Sequence, residues 1–506
     1  MKINNLVAVF WILFFLTACN DTSLSLAGGG IGGTGNPFPE VGIAAPPLAT
    51  KVGEGINIGP ITGFSQVFIN GILVNGIEYD LSQAEIIMNG QAATAADLKL
   101  GMIVQVQGTI TDEDNKTGVA RLIAANENVV GPLQFIDETN SSLTVLGQTV
   151  IINPFTILDG FADMSELRNN NILAVSGLTD EMDHILATRI ALVSPGNSFQ
   201  VRGRASLDAV EQTATMGHLT VDCSQTPFAE TTADEMHWLD VQGKLFGNRL
   251  IAEQCQLVEP IEWNNFAAIR LEGVITRFNT STDFEVDHLP VTVSPATQFQ
   301  LGTVTDLTLG SRLKVKGSRD ANGVLVAEEI QFFNLTHYMS LKAPIETIAT
   351  DNKQINLLGI SLPLNNDTVF IDKADESTPF NWQALRVGDW VQVRGFIDLN
   401  THLPVIEQLQ RQVTQFGENV ELMGHPDTIE VSSRTLNFFG ITIMVDNGTR
   451  YRDNRTTAGV LLNSSSLSLT ASEFFTRIQT VKPLIAVEGQ WFSNVMIAQQ
   501  MVILPE

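Results

Sequence analysis

Leu307-Thr308-Leu309-Gly310-Ser311-Arg312-Leu313-Lys314-Val315-Lys316-Gly317 is the stretch that decides the fold. A short turn ends at Gly310. Leu313 and Val315 then alternate with Arg312, Lys314 and Lys316, the period of a strand with one face in a core. Gly317 ends the alternation. The stretch returns as Leu98–Gly108 and as Leu385–Gly395, and weaker copies end at Gly177, Gly243 and Gly489. The intervals between these terminal glycines are 69, 66, 74, 78 and 94 residues. A period of that size means an array of small units rather than one large domain.

Working outward, each terminal glycine is followed by a turn and a strand with Ala near its middle, as in Ile185-Leu186-Ala187-Thr188-Arg189-Ile190 and Leu325-Val326-Ala327-Glu328-Glu329-Ile330. Each unit opens with a strand around a glycine, such as Thr62-Gly63-Phe64 or Glu272-Gly273-Val274; the fifth has Ala343 there. Two further strands follow, often with a glycine expected at their centre: Leu146-Gly147-Gln148, Met216-Gly217-His218, Leu358-Gly359-Ile360 and Phe439-Gly440-Ile441. Short helical turns are expected at Ala95–Leu98, Met164–Leu167 and Trp382–Leu385. Five strands with a helical turn between the third and fourth is the order of an OB-type barrel. The predicted fold is therefore all-β, with six tandem small five-stranded OB-like barrels spanning 60–128, 129–198, 199–262, 263–338, 339–415 and 416–506. A β-sandwich of equal strand count is the rival. Short linkers such as Ser194–Ser198 suggest a rod or curved array, about 170 Å long if six globules of about 28 Å stand in file.

The N-terminus sets the compartment. Lys2 precedes an apolar run from Leu6 to Leu16, too short to span a bilayer but suited to a signal peptide. It ends in Leu16-Thr17-Ala18-Cys19, which resembles the bacterial lipobox, so residues 1–18 are expected to be removed and Cys19 to be acylated. Asn20, rather than Asp, follows the cysteine and favours the outer membrane. Residues 19–59 read as the lipidated Cys and a flexible tether, with ten Gly and four Pro between 20 and 59. Gly30, Gly32 and Gly35 formally fit G-x-G-x-x-G, but no strand precedes them and Pro37 and Pro39 block a helix, so a dinucleotide loop is rejected.

The 506 residues carry 55 acidic and 29 basic side chains, a net charge of −26. That excludes non-specific binding to nucleic acid, which needs a cationic surface. Apart from Cys19 the cysteines are Cys223 and Cys255. One ends a third strand and the other lies in a last strand, neighbours in an OB-type barrel, so a disulfide is expected in an oxidising compartment, with two buried thiols as the alternative. A metal site with His218 or His237 lacks paired ligand spacing, and no metal or cofactor is expected. Asp112–Gly118 reads as a hairpin turn rather than a calcium loop. No Gly-x-Ser-x-Gly, H-E-x-x-H or P-loop occurs, and the seven histidines are expected at different positions of the repeat.

Together, the lipobox at Cys19, the Gly28–Gly35 run, openings such as Ile61–Gly71, the Leu-x-x-Gly-x-x-Val-x-Val-x-Gly closings and the Ala-containing last strands resemble a bacterial lipoprotein family built from a repeated OB-like domain of unknown function. The first, fourth and fifth copies resemble it best. The resemblance implies an envelope location and a repeat architecture, and no chemistry. The expected protein is a non-catalytic outer-membrane lipoprotein, held to the membrane through its lipid anchor, whose barrels bind or scaffold glycans, cationic peptides or envelope proteins. The alternatives are an envelope enzyme with a site between units, or a low-affinity divalent-cation binder. Carboxylates clustered in a deep cleft would favour the enzyme, and carboxylates spread over open faces the scaffold.

Overall fold

A computed structural model describes residues 54–65, 67–114, 116–137, 140–196, 198–228, 236–258, 266–333, 337–373, 380–398, 400–413, 419–455 and 467–504. Cys19 and the glycine-rich run lie outside the described residues. The fold is all-β. Its first strand group holds Gly55–Phe64, Ile72–Val74, Ile77–Asp80, Ile103–Asp112 and Thr117–Ala125. The first strand pairs antiparallel with the second and fourth, the third runs parallel to the fifth, and the fourth and fifth pair antiparallel. The circuit closes, which leaves the barrel wall without a long bare edge. This first strand begins at Gly55, inside the stretch expected to be tether.

The same closed circuit recurs in strands from 129 to 193, from 199 to 257 and from 268 to 332. The order returns from 338 to 411 and from 419 to 503. There, among the described residues, no ladder joins the opening strands Tyr338–Pro344 and Asn419–Gly424 to Thr347–Ala349 and Thr428–Glu430. The turns between third and fourth strands are 3-10 helices at Ala95–Asp97, Met164–Glu166, Val304–Asp306 and Trp382–Ala384. In the last group an α-helix, Ala471–Ile478, takes that place. Thr470 and Glu473 form its capping box, and Phe474, Phe475 and Ile478 are buried. This insertion accounts for the long last interval.

The terminal glycines have a common cause. At Gly108, Gly177, Gly243, Gly317, Gly395 and Gly489 the ladder to the last strand shifts register, so each is a β-bulge. A Cβ there would stand 2.0 to 2.4 Å from a carbonyl oxygen of the facing strand. In four groups the alanine expected in the last strand faces the bulge: Gly177 against Ala187, Gly243 against Ala252, Gly317 against Ala327 and Gly489 against Ala498. In the first group Gly108 faces Ala120, not the expected Ala124, which pairs with Gln105, and in the fifth Gly395 faces Ile406. The glycines expected in mid-strand are turns instead. Leu146-Gly147, Leu358-Gly359 and Phe439-Gly440 are two-residue hairpin connections with both φ angles positive, the requirement of a type I′ turn.

The barrels join in pairs through their first strands. Gly55–Ile58 runs parallel to Ala268–Leu271, Val129 and Val130 pair with Val201 and Gln200, and Ser340–Lys342 pair with Glu421–Met423. Their cores merge accordingly: Ile56 and Ile58 pack with Leu271, Phe284 and Val315 of the fourth group. The Thr188 hydroxyl of the second group donates to the Gly101 carbonyl of the first at 2.6 Å, and Lys373 of the fifth donates to the Leu158 carbonyl of the second at 3.3 Å. The groups therefore fold back on one another, and the extended file expected from the linkers is not adopted. Cys223 and Cys255 form a disulfide across the parallel third and fifth strands of the third group, with Cα atoms 5.9 Å apart.

Candidate functional site

Three hollows lie where strand groups meet, and the charges on their walls distinguish them. The smallest, about 50 Å³, is lined by the first, second, fourth and fifth groups. Strand Arg312–Arg319 brings Arg312 and Lys314 into it from the outward face of the stretch whose Leu313 and Val315 fill the core. Glu272, buried, accepts from Arg312 Nε at 2.9 Å, and Lys314 Nζ lies 2.8 Å from Asp367 and 4.0 Å from Glu272. Both cations stand over the Phe333 ring, at 4.3 and 5.2 Å from its centroid. Burial pushes the Glu407 carboxyl up to about 7, with Lys314 the strongest influence pulling it back. Burial opposes the charge on Lys314, but Asp367, Glu272 and Glu407 outweigh it and hold the ammonium above its ordinary value.

An acid poised near 7 suits proton transfer. A water molecule occupies about 30 Å³ of liquid volume, so this cavity admits one or two waters and no substrate. The cluster therefore holds barrels together. It is the one place among the described hollows where three carboxylates gather, and two of its residues, Lys314 and Asp367, also line a further hollow.

The second hollow is an open cleft of about 570 Å³ between the first, second and fifth groups, the size of a small-molecule site. Phe64, Leu100, Ile157, Phe370 and Phe380 make its walls apolar. Phe370 and Phe380 meet edge-to-face at 6.2 Å, and the Arg411 guanidinium lies 4.4 Å over the Phe380 ring. Arg411 Nε donates to Asp372 at 3.1 Å, and Arg189 pairs with Asp159. These pairs, with Lys99 and Lys373, give the apolar walls a mixed-charge rim. Ile69, fully exposed, stands on the loop before Ile72 and lines the same cleft. Phe64, Ile69, Lys99, Leu100 and Arg189 belong to repeat motifs read as structural, and Phe370 and Phe380 to none, so sequence reading missed the cleft; the signal available was aromatic residues recurring around 370 and 380 in a chain with only 7% aromatics.

A third cluster, with no cleft, joins the second, third and fourth groups. Asp287 and His288 form the hairpin turn between Asp283–Val286 and Leu289–Gln300, with φ of 46° and 65°. His288 stands where Leu146, Leu358 and Phe439 are followed by glycine. His218 occupies the same second turn position, between Thr213–Met216 and Leu219–Asp222, so the histidines do share a place in the repeat. Arg204 donates to Asp183 at 3.2 Å, His288 Nε2 is 3.8 Å from Asp183, and Trp238 stacks edge-on to His288 at 6.5 Å. Asp287 Oδ1 and His288 Nε2 are shut off from solvent with no hydrogen-bond partner. Burial pushes the Asp287 carboxyl up to about 7, helped by the Asp183 charge, and pushes the His288 ring down to about 4, helped by Arg204.

Of the residues singled out from sequence, Cys223 and Cys255 are brought together, His218 lies at a turn and His237 in the strand Met236–Phe246. Among the described residues no three His, Cys, Asp or Glu side chains gather as ligands of one ion. A family model described as Domain of unknown function (DUF5666) matches residues 130–191, 272–331 and 342–403. These are the second, fourth and fifth strand groups, so a matched copy is the second, where sequence resemblance pointed to the first. No curated protein matches the chain. Three stretches of the chain are thus similar to this domain of unknown function, and they stand among further strand groups of the same order.

Proposed function

We propose that the chain is a non-catalytic lipoprotein of the bacterial outer membrane, held through acyl groups on Cys19, whose packed barrels bind glycan or peptide partners. The aromatic cleft between the first, second and fifth groups carries this reading. Its roughly 570 Å³ fits a short saccharide or a few peptide residues. Phe64, Phe370 and Phe380 offer flat apolar faces to a sugar ring, and the Asp159–Arg189 and Asp372–Arg411 pairs supply acceptors and donors at its edge. With Lys99 and Lys373 the cations of the rim outnumber its acids, which suits a saccharide or peptide that presents acceptor oxygens. The enzyme reading has one observation in its favour, the Glu407 carboxyl near 7, and the small free space beside it, about 50 Å³, counts against it.

Glycan-array screening and envelope pull-down with the full chain in detergent test the reading. Phe370→Ala and Phe380→Ala should each weaken a captured ligand about tenfold, the loss of one aromatic contact. Ligand capture untouched by both substitutions would move the site elsewhere. Separately, Cys19→Ser should remove the protein from the outer-membrane fraction, and a variant still wholly in that fraction overturns the anchor.

A further inference from the structure

We propose that the hollow between the first, fourth and fifth strand groups is a second binding site, for a compact multivalent oxyanion. It measures about 560 Å³ and shares no residue with the aromatic cleft, so the two stand or fall separately. Five cations line it: Lys116, Arg270, Lys314, Lys316 and Lys353. The lining acids are Glu329 and Asp367. In a chain of net charge −26, with 29 Lys and Arg in all, such a concentration of positive charge is a local reversal of the protein's field.

The acids at hand are already engaged. Asp367 is 2.8 Å from Lys314, and Glu329 accepts from Gln300 at 2.7 Å. Glu113, outside the lining and more than half exposed on its hairpin, is shared between Arg270 at 3.1 Å and Lys316 at 3.9 Å. Among the described residues neither Lys116 nor Lys353 makes an ion pair. Lys353 Nζ instead lies 3.4 Å from the Asn366 side-chain oxygen and 5.8 Å from the Trp382 ring. The Arg270 side chain is only 10% exposed, so its planar fork faces the hollow from a partly desolvated position, where charge-assisted hydrogen bonds are strongest. The amides of Asn365 and Gln331 add donors.

Charge also sets the size of the ligand. Beyond about 8 Å at physiological ionic strength the cations are screened, and the acidic remainder of the surface repels an extended polyanion. A compact anion with two or three charges avoids that repulsion and takes the full local field. The ligand chemistry is clustered phosphate or carboxylate oxygens.

The test is calorimetric titration of the full chain in detergent with pyrophosphate and, in a separate arm, with citrate, at low and at physiological salt. Saturable binding of one equivalent that weakens with salt is expected for at least one anion, and the arm that binds names phosphate or carboxylate as the source. The double variant Lys116→Gln/Lys353→Gln should weaken it about tenfold or more. Lys116 is exposed, and Lys353 gives up only a long hydrogen bond to Asn366 and its place over Trp382, so unfolding temperature should fall by no more than a few degrees. Lys244→Gln, which removes an exposed cation paired with Glu253 far along the chain, should leave binding unchanged. Absence of saturable binding by both anions, or binding that the double variant leaves intact, overturns the site.

Discussion

Two junctions between barrels hold a carboxyl group near 7, and they do so with opposite resources. Around Glu407, the acids Glu272 and Asp367 are met by Arg312 and Lys314, and the cations are further held over Phe333. Around Asp287 the one cation among the described residues, Arg204, is committed to Asp183, and the ring of His288 stays neutral. The first junction is stable because its charges are paired. The second is stable because its groups give their charges up. Barrels of one strand order are thus joined by two kinds of chemistry, and pH acts on them differently.

Removing a cation from the paired junction should have the largest effect. Lys314→Met leaves three carboxyls with only Arg312, and should cost about 3–5 kcal/mol in urea unfolding, the usual penalty for breaking a buried pair from one side. Adding Asp367→Asn and Glu407→Gln should recover most of it. A loss below about 1 kcal/mol for the single variant would mean that water already reaches the cluster.

Asp287→Asn should act in the other direction. The folded protein pushes this carboxyl up to about 7, so protonation stabilises the fold fully below about 4, and that contribution is lost as pH rises through 7. Asparagine keeps the neutral shape at every pH. The variant should therefore match the parent at pH 4 and melt a few degrees higher at pH 8, a gain on the order of 1–3 kcal/mol. Equal melting at pH 8 would place a cation beside Asp287 and erase the contrast with Glu407.

The smallest effect is expected from His288→Gly. The ring is pushed down to about 4, so its neutral form stabilises the fold above about 6.5, and that stability is lost as pH falls towards 4. Glycine removes this slope and accepts the left-handed backbone, at the cost of the contact with Trp238. Stability should change by less than about 1 kcal/mol at pH 8 and improve relative to the parent at pH 5. A variant whose deficit grows as pH falls would assign the acid sensitivity to Asp183 instead.

The strand order was legible because barrel closure leaves a local mark: the bulge admits only glycine, in five of six groups opposite an alanine, so Gly317 and Ala327 stand out within one chain. The disulfide followed, since third and fifth strands are neighbours in that order. Hairpin turns were misread, because Leu146-Gly147 and Phe439-Gly440 place a large apolar residue at a positive φ where turn-forming residues are usual. That error also hid the shared position of His218 and His288. The clefts were illegible for a different reason. Arg312, Lys314 and Lys316 alternate with core residues as any solvated face does, and only the folding back of the fourth group onto the fifth and first makes them lining. Contacts such as Thr188 to Gly101 involve single atoms and carry no period.

The parallel pairing of Gly55–Ile58 with Ala268–Leu271 has a consequence for how the polypeptide is made. The partners are roughly 210 residues apart, about three times the separation that joins Val130 to Gln200. In equilibrium terms that extra length costs only about 1 kcal/mol of closure entropy. In time it costs more, because a chain emerging from its N-terminus completes the second and third barrels while one side of the first strand still waits for a neighbour. A nascent chain stopped before residue 268 presents that strand as an open template for another copy, so premature termination would leave a seed for edge-to-edge aggregation.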